Sequence, residues 1–294
     1  MLKSLRFNFI LSLVLLVGLS ACLPDNRDHS SCAPTNDTDD DNKDLGVSSI
    51  EATSQAGGME KFYYKMKNQR AMHQGDIVLS SQEGLEQMSS SKAVLIVGRK
   101  WKDNKFYYRI PSDFKKPRRA RRAIKTWTKK IGDLVEFIEL KEGVDLPSNY
   151  IEFVVKDGCW SYVGMQSGKQ EISLDIGCGK SAAIHEIGHA LGAWHEQSRP
   201  DRDAFVDVKW CNIPKDERHN FYKQSASTMV GAYDYHSIMH YSRGAFSMNK
   251  YVTLQSKTKH AVPMVEPLWL SKRDVIGMRC RYGEEKSCQE LAKN

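Results

Sequence analysis

Apolar and polar positions alternate in several short segments between residues 94 and 174, a pattern typical of half-buried strands. The predicted strands span residues 94–97, 106–110, 135–140, 150–155, 160–163 and 171–174. Residues 205–241 lack a comparable regularity. We therefore expect a sheet in the first half of the chain and less regular structure in the second half.

Helical spacing is clearest in residues 115–131, where apolar side chains recur three or four positions apart. These side chains are Ala120, Ala123, Ile124, Trp127 and Ile131. The opposite face is basic and carries Arg118, Arg119, Arg121, Arg122, Lys125 and Lys129. We interpret that face as solvated rather than anion-binding, because charged helix faces usually contact water. Further helices are predicted at residues 181–194 and 271–282, and strands before and after a helix indicate an α+β fold.

The first residues have the pattern of an export signal. Lys3 and Arg6 precede an apolar run that is too short to be a comfortable bilayer span. We assign residues 1–21 to a signal peptide. The end of this segment, residues 19–22, resembles a bacterial lipobox, which predicts lipidation of Cys22, an envelope membrane anchor, and secretion after processing. The alternative is an ordinary signal peptide followed by an ordinary cysteine.

Residues 22–59 are polar and acidic, with eight acidic and two basic side chains. Such a segment buries too little apolar surface to offset the entropy of ordering, so we predict a flexible spacer. The whole chain has a net charge of +7, 40% hydrophobic and 27% charged residues. This composition is that of a globular protein and excludes fibrous and wholly disordered classes. We predict no nucleic-acid partner and a monomer.

The residues that carry chemistry lie in the predicted helix at 181–194 and just after it. His185 and His189 are four positions apart, so their imidazoles project from one helix face and can share a Zn²⁺ ion. Glu186 follows the first ligand and is the candidate general base. Gly192 allows a sharp turn that returns His195 to the metal as a third ligand. We predict one zinc ion per chain.

A second motif follows at residues 237–241, Ser-Ile-Met-His-Tyr, which we interpret as the Met-turn of metzincin peptidases. Met239 then forms an apolar floor beneath the histidines, whereas ordinary core packing is the alternative for this residue. Residues 195–203, His-Glu-Gln-Ser-Arg-Pro-Asp-Arg-Asp, together with residues 237–241 resemble the astacin family of metalloendopeptidases within the metzincin clan. The resemblance covers roughly residues 61–282.

The resemblance implies a two-lobed α+β catalytic domain at residues 92–294. It has an N-terminal mixed sheet, an active-site helix, and an irregular C-terminal lobe that ends in a helix. Tyr241 would be a weak zinc ligand that swings away and donates to the oxyanion. Trp160, Ser161 and Tyr162 would form the cleft-edge strand, to which a peptide substrate adds as a further strand. The family pattern also implies a disulfide between Cys159 and Cys178.

The resemblance extends to latency. Residues 73–77 resemble the family's pro-segment motif, with His73 where the family has Phe, and Asp76 would ligate zinc in the latent form. Residues 60–91 would be the inhibitory pro-segment, and cleavage near Lys92 would free an amino group that buries against Glu196. With Cys22 lipidated, this cleavage would release the protease from the membrane. Cys32 is a second candidate for the latency ligand, since a thiolate binds zinc strongly.

The pairing of the other cysteines is open. This chain lacks the family's cysteine after the first helix, so Cys280 pairs with Cys211 or Cys288 or stays reduced. We predict a zinc endopeptidase that cleaves proteins or peptides. The alternatives are an envelope binding or adhesion module with a structural zinc and a non-peptidase zinc hydrolase.

Overall fold

The computed structural model describes residues 32, 43–53, 58–91, 95–96, 98–224, 231–260, 262–263, 265 and 267–293. The signal peptide, Cys22 and Lys92 lie outside these residues. The strands are β1 Val47–Thr53, β2 Met59–Lys67, β3 Arg70–His73, β4 Ile77–Ser81, β5 Leu95–Ile96, β6 Lys105–Arg109, β7 Glu136–Glu139, β8 Tyr150–Val154, β9 Cys159–Tyr162, β10 Lys169–Leu174, β11 Val206–Val208 and β12 Leu254–Ser256. The helices are α1 Gln82–Ser91, α2 Pro117–Ile131, α3 Lys180–Leu191, α4 Lys272–Arg281 and α5 Glu285–Ala292.

Ten strands form one mixed sheet in the order β5-β1-β2-β3-β4-β9-β10-β8-β6-β7. β6, β7, β8 and β10 pair in parallel, and β9 pairs antiparallel with β10. Apolar side chains of these strands pack with those of α2 and α3 in the largest core cluster. The predicted α+β class and mixed sheet are confirmed.

The helix α2 buries the five side chains that its helical spacing singles out. Pro117 occupies the first turn, where a missing N–H costs nothing. The indole Nε1 of Trp127 donates to the carbonyl of Ile184 in α3 at 2.9 Å. Because that hydrogen bond is buried, it fixes α2 behind the helix that carries the histidines.

The second lobe has short 3₁₀ turns and the two-stranded sheet of β11 and β12 around its own apolar cluster. The helix α4 begins with a capping box at Ser271. The Ser271 hydroxyl accepts from the Asp274 N–H, and the Asp274 carboxylate accepts from the Ser271 N–H. A helix that the pattern did not predict, α5, follows α4 directly. Among the described residues, no helix is both long and apolar enough to cross a bilayer.

Two expectations for the N-terminal part are wrong. Residues 47–53, inside the predicted spacer, form β1, because β2 supplies an antiparallel partner and the sheet buries Val47 and Ala52. The serines at 89–91 form a small polar stretch, a composition that suits an exposed loop, but they end α1 instead. In both cases tertiary pairing or helix continuation outweighs the local polar composition.

Candidate metal centre

Three imidazoles converge at the C-terminal half of α3. His185 and His189 lie one helical turn apart, and Gly192 ends the helix with a φ of 107°. A Cβ at Gly192 would lie 2.2 Å from Nη2 of Arg281, so glycine is needed both for the turn and for the close approach. His195, 1% exposed, then faces the same point as the two helical histidines.

The other nitrogen of each imidazole is held by a carbonyl oxygen. Nδ1 of His185 donates to Ile238 O at 2.7 Å, and Nδ1 of His189 donates to Ala193 O at 2.8 Å. Nδ1 of His195 donates to the Gln74 amide oxygen at 2.9 Å. A carbonyl oxygen only accepts, so each Nδ1 carries the proton and each Nε2 presents a lone pair to the common centre.

This arrangement fits a cation. The Nε2 atoms of His185 and His195 are 3.3 Å apart, and that of His189 is buried with no hydrogen-bond partner. Lone pairs facing each other at this distance repel unless a positive ion lies between them. Burial lowers the pKa of His195 to about 3, which keeps this imidazole neutral and able to ligate. Neutral imidazoles with one carboxylate form a donor set that suits Zn²⁺.

The carboxylate is that of Asp76. Its oxygens lie 3.2 Å from Nε2 of His185, 3.6 Å from that of His189 and 3.2 Å from that of His195. Burial alone would raise the pKa of Asp76, but the surrounding imidazoles, that of His195 foremost, hold this pKa well below its usual range. Asp76 therefore sits beside the histidines as a carboxylate.

A tight turn delivers Asp76 to this point. Gln74 and Gly75 have positive φ values of 48° and 82°. A Cβ at Gly75 would lie 2.6 Å from Cζ of Phe246, so only glycine fits against that ring. Gln74 is fully buried, and sequence reasoning missed it although it bonds His195 through its side chain. Only its position beside the Gly75-Asp76 pair could have drawn attention to it.

Glu186 and Tyr241 border the same site. Glu186 follows His185 on α3 and is 2% exposed. The Tyr241 ring lies 4.7 Å from the His195 ring, centroid to centroid, and its hydroxyl donates to the carbonyl oxygen of Gln74. The hydroxyl expected to serve an oxyanion thus binds a backbone carbonyl of the predicted pro-segment.

Met239 packs against α3, the helix that carries His185 and His189. A Cβ at Gly188 would lie only 2.8 Å from Sδ of Met239. The absence of a side chain at Gly188 therefore allows Met239 to pack directly on α3, and Met239 is 5% exposed.

The predicted cleft-edge strand is covered. β9, which contains Trp160, Ser161 and Tyr162, pairs in parallel with β4, matching Ile77 with Ser161. The Ser161 N–H donates to the Asp76 carbonyl at 3.0 Å. The segment that brings Asp76 to the histidines therefore also occupies the edge of the sheet.

Glu196 lies in the second lobe behind the site. Its carboxylate accepts from the Asp234 N–H at 2.8 Å and from Arg199 at 3.2 Å. Burial raises the pKa of Glu196 to about 7. The segment expected to supply its amino-group partner, around Lys92, is outside the described residues.

Three disulfides are present among the described residues. Cys159 pairs with Cys178, as the resemblance implied, and Cys280 pairs with Cys288, one of the open alternatives. Cys32 pairs with Cys211. The expectation that Cys32 could be a thiolate ligand is wrong, because its sulfur is consumed in that bond.

Comparison with known proteins places this site in a family. The Astacin family model, which describes a family of peptidases, matches residues 95–283. The zinc metalloproteinase nas-13 of Caenorhabditis elegans is 37% identical over 191 residues, 63% of this chain and 38% of that protein. Meprin A subunit beta of Rattus norvegicus is 40% identical over 141 residues, 46% of this chain and 18% of that protein.

A solved structure is also similar. High choriolytic enzyme 1, a hatching enzyme zinc-protease from Oryzias latipes, has a TM-score of 0.56 and 29% identity, covering 63% of this chain and 94% of that chain. The chain spans less than two fifths of the length of the curated relatives named above. The family's catalytic metal is zinc, which the imidazole donor set fits. With the family model matching well over half of its residues, this chain belongs to the astacin family of peptidases.

Proposed function

We propose that this chain is a zinc-dependent endopeptidase that hydrolyses peptide bonds in proteins and is made in a latent form. The main support for this proposal is the geometry of the three imidazoles. In each of them Nδ1 is bonded to a carbonyl oxygen and Nε2 is directed to one point beside Glu186. A structural zinc site has no need for a buried carboxylic side chain next to its first ligand.

Zinc bound at this point supplies the Lewis acidity that polarises a carbonyl and makes water nucleophilic at neutral pH. Glu186 takes the proton of the attacking water and passes it to the amine that leaves. The Tyr241 hydroxyl donates to the oxyanion as it forms, as it donates to the Gln74 carbonyl in the latent chain. His185, His189 and His195 would hold the zinc ion through Nε2, and no residue of the chain forms a covalent intermediate.

Latency is proposed to rest on residues 60–91. Asp76 takes the ligand position that a substrate or water needs, and β4 takes the strand position that a peptide substrate would use on β9. Both effects come from one segment, so its removal would open the metal and the sheet edge together.

Contacts to both lobes hold this segment in place. The Phe62 and Trp194 rings stack with centroids 5.6 Å apart, and Nε2 of His73 lies 3.0 Å from Oε1 of Gln224. Nζ of Lys65 forms an ion pair with Asp216 at 2.7 Å. These contacts support the assignment of residues 60–91 to an inhibitory pro-segment rather than to a linker.

Activation is proposed to require a cut near Lys92, after which the new amino terminus would reach Glu196. Glu196 is only partly exposed and accepts hydrogen bonds from Arg199 and the Asp234 N–H, so a further cationic partner would find a fixed carboxylate. N-terminal sequencing of the active form tests this step. Active enzyme that retains residues 60–91 would contradict it.

The chain is proposed to be exported, which three disulfides support. Lipidation of Cys22 and a bacterial envelope location remain part of the same proposal. The expected release from the membrane upon cleavage near Lys92 has to be revised. Because Cys32 is bonded to Cys211, the cut leaves residues on both sides of it covalently joined.

The experiment that tests the activity is Glu186→Gln in cleaved, zinc-loaded protein. We expect zinc content to stay at one per chain and casein cleavage to fall roughly 10²- to 10⁴-fold, the range of general acid–base catalysis. Glu136→Gln, an exposed change on β7, is the control and should leave cleavage unchanged. Zinc-loaded wild-type protein that lacks peptidase activity would favour a binding or adhesion module instead.

A further inference from the structure

A groove of about 630 Å³ lies between the basic face of α2 and the first turn of α3, formed by residues other than the metal ligands. Its floor contains Ala123, Thr126 and Ile184. Seven cations and no carboxylate are among its described lining residues: Lys116, Arg118, Arg119, Arg122, Lys125, Lys129 and Lys180. We call this groove and its rim the basic groove face.

Two exposed apolar side chains border the basic groove face. Trp269 lines it and is 71% exposed, and Ile176 is 79% exposed. These are the two most exposed large apolar residues in the described part of the chain. The Ile176 carbonyl accepts from Nζ of Lys116, which places it at the rim, and Leu268 beside Trp269 is exposed as well.

The cations of this face are not neutralised by neighbouring acids. Arg121, on the adjoining side of α2, forms an ion pair with Glu139 at 3.0 Å. In the described part of the chain, none of the seven lining cations forms an ion pair with a carboxylate. The guanidinium and ammonium groups of this face are therefore available to an anionic partner from outside the chain.

In place of the solvated face expected from the sequence, we propose that the basic groove face docks on an anionic phospholipid bilayer. The seven cations contact headgroup phosphates, and Trp269 and Ile176 enter the interface between headgroups and acyl chains. Lysines and arginines are attracted to an anionic leaflet, and tryptophan favours the membrane–water boundary. A soluble polyanion would satisfy the cations but would leave the two exposed apolar side chains in water.

This contact differs from an acyl anchor at Cys22, since it belongs to the peptidase domain itself. It would keep the domain at the membrane surface after loss of every residue before β5. The proposal does not depend on the endopeptidase activity, because neither the groove nor its rim contains a metal ligand or Glu186.

The test measures sedimentation of the exported chain, without residues 1–21 and carrying Cys22→Ser, with two kinds of vesicle. We expect binding to phosphatidylcholine vesicles that contain phosphatidylglycerol and little binding to phosphatidylcholine alone. High sodium chloride should weaken binding, since exposed charges are screened. A blue shift of tryptophan emission with anionic vesicles should be lost in Trp269→Ser.

Paired variants separate the two parts of the face. Lys125→Gln with Lys129→Gln should weaken vesicle binding about 25-fold, from a loss of about fivefold for each cation. Lys100→Gln with Lys102→Gln removes the same charge outside the groove and should change binding less than about twofold. Trp269→Ser with Ile176→Ser should weaken binding, whereas Met248→Ser with Tyr251→Ser, also exposed, should not.

Several results would overturn the proposal. Equal losses in the groove and control pairs would show that net charge alone matters. Binding of wild-type protein to heparin without binding to anionic vesicles would assign the face to a soluble polyanion. Vesicle binding that emerges only after Asp37, Asp39, Asp40 and Asp41 are changed to Asn would mean that the chain's own acidic segment fills the groove. Unfolding temperature and zinc content, equal in all variants, confirm that each is folded.

Discussion

The disulfide between Cys32 and Cys211 joins residues 179 positions apart, one before the first strand and one beyond the zinc-binding motif. Any single cut between them leaves the two pieces covalently linked. In the proposed activation, cleavage near Lys92 and departure of residues 60–91 are therefore separate events. The second event needs either reduction of this bond or a further cut after Cys32.

We expect protein cut near Lys92 to run as one species in non-reducing electrophoresis and as two after reduction. In Cys32→Ser the two fragments should separate without reductant. Cys280→Ser with Cys288→Ser removes a bond that lies within the last two helices and is the control, which should still run as one species. Two fragments from unreduced wild-type protein would contradict the tether.

Replacing Asp76 should partly activate the uncut chain. In Asp76→Ala the carboxylate no longer lies near the three imidazoles, and a charged contact of this type contributes ~1.5–3 kcal/mol. We expect peptide cleavage by the uncut protein to rise roughly tenfold or more, although β4 still covers β9. Glu51→Ala, exposed on β1, is the control and should stay as latent as the wild type.

Tyr241→Phe should lower kcat of the activated enzyme roughly 10²- to 10³-fold, the effect of removing one oxyanion donor. Zinc content should not change, because the three imidazoles remain. Steady-state kinetics on a peptide substrate, with metal analysis of the same sample, measures both. Tyr251→Phe, a half-exposed tyrosine, should leave kcat unaltered, and loss of zinc in Tyr241→Phe would indicate a structural role instead.

Gly188→Ala should destabilise the protein by ~1–3 kcal/mol, the usual range for overpacking. The new Cβ would lie 2.8 Å from Sδ of Met239 and 3.4 Å from Cζ2 of Trp127, so the floor of the metal centre must shift. Denaturant unfolding of Gly188→Ala and of the wild type measures the difference in their free energies of unfolding. Gly277→Ala in α4, where the Cβ meets nothing within 4 Å, should be neutral or stabilising by up to ~1 kcal/mol.

The stability of the uncut chain should fall as the pH drops below about 6.5, partly through His219. Burial, with the charges of His73 and Lys65, lowers the pKa of His219 to about 3, whereas an unfolded histidine titrates near ~6.5. Between these two pKa values the unfolded state binds more protons than the folded state. A drop in pH through this range therefore stabilises the unfolded state relative to the folded state. Through His219 alone, the free energy of unfolding falls by at most ~1.4 kcal/mol for each pH unit.

Denaturant unfolding of wild type and His219→Gln across this pH range measures that contribution as a difference in slope. We expect the stability of His219→Gln to depend less steeply on pH. His260→Gln, on the exposed surface, should have the slope of the wild type. Identical slopes for His219→Gln and wild type would show that His219 does not titrate differently on unfolding.

The imidazole arrangement and the helix that carries it could be predicted because both depend on local spacing. Four-residue spacing puts His185 and His189 on one face, and Gly192 provides the turn to His195. The buried stripe of α2 follows from the same helical period. The family resemblance then pointed to Tyr241, Met239 and Asp76, which the fold brings to the same region.

What the tertiary structure alone decided are contacts between distant segments. The Cys32–Cys211 bond, the pairing of β4 with β9, and the hydrogen bonds of Gln74 to His195 and Tyr241 join residues far apart in the chain. β1 formed despite its polar surroundings because β2 offered a partner. Local periodicity depends on backbone geometry that neighbouring residues share, whereas such pairings depend on which surfaces the whole fold brings together.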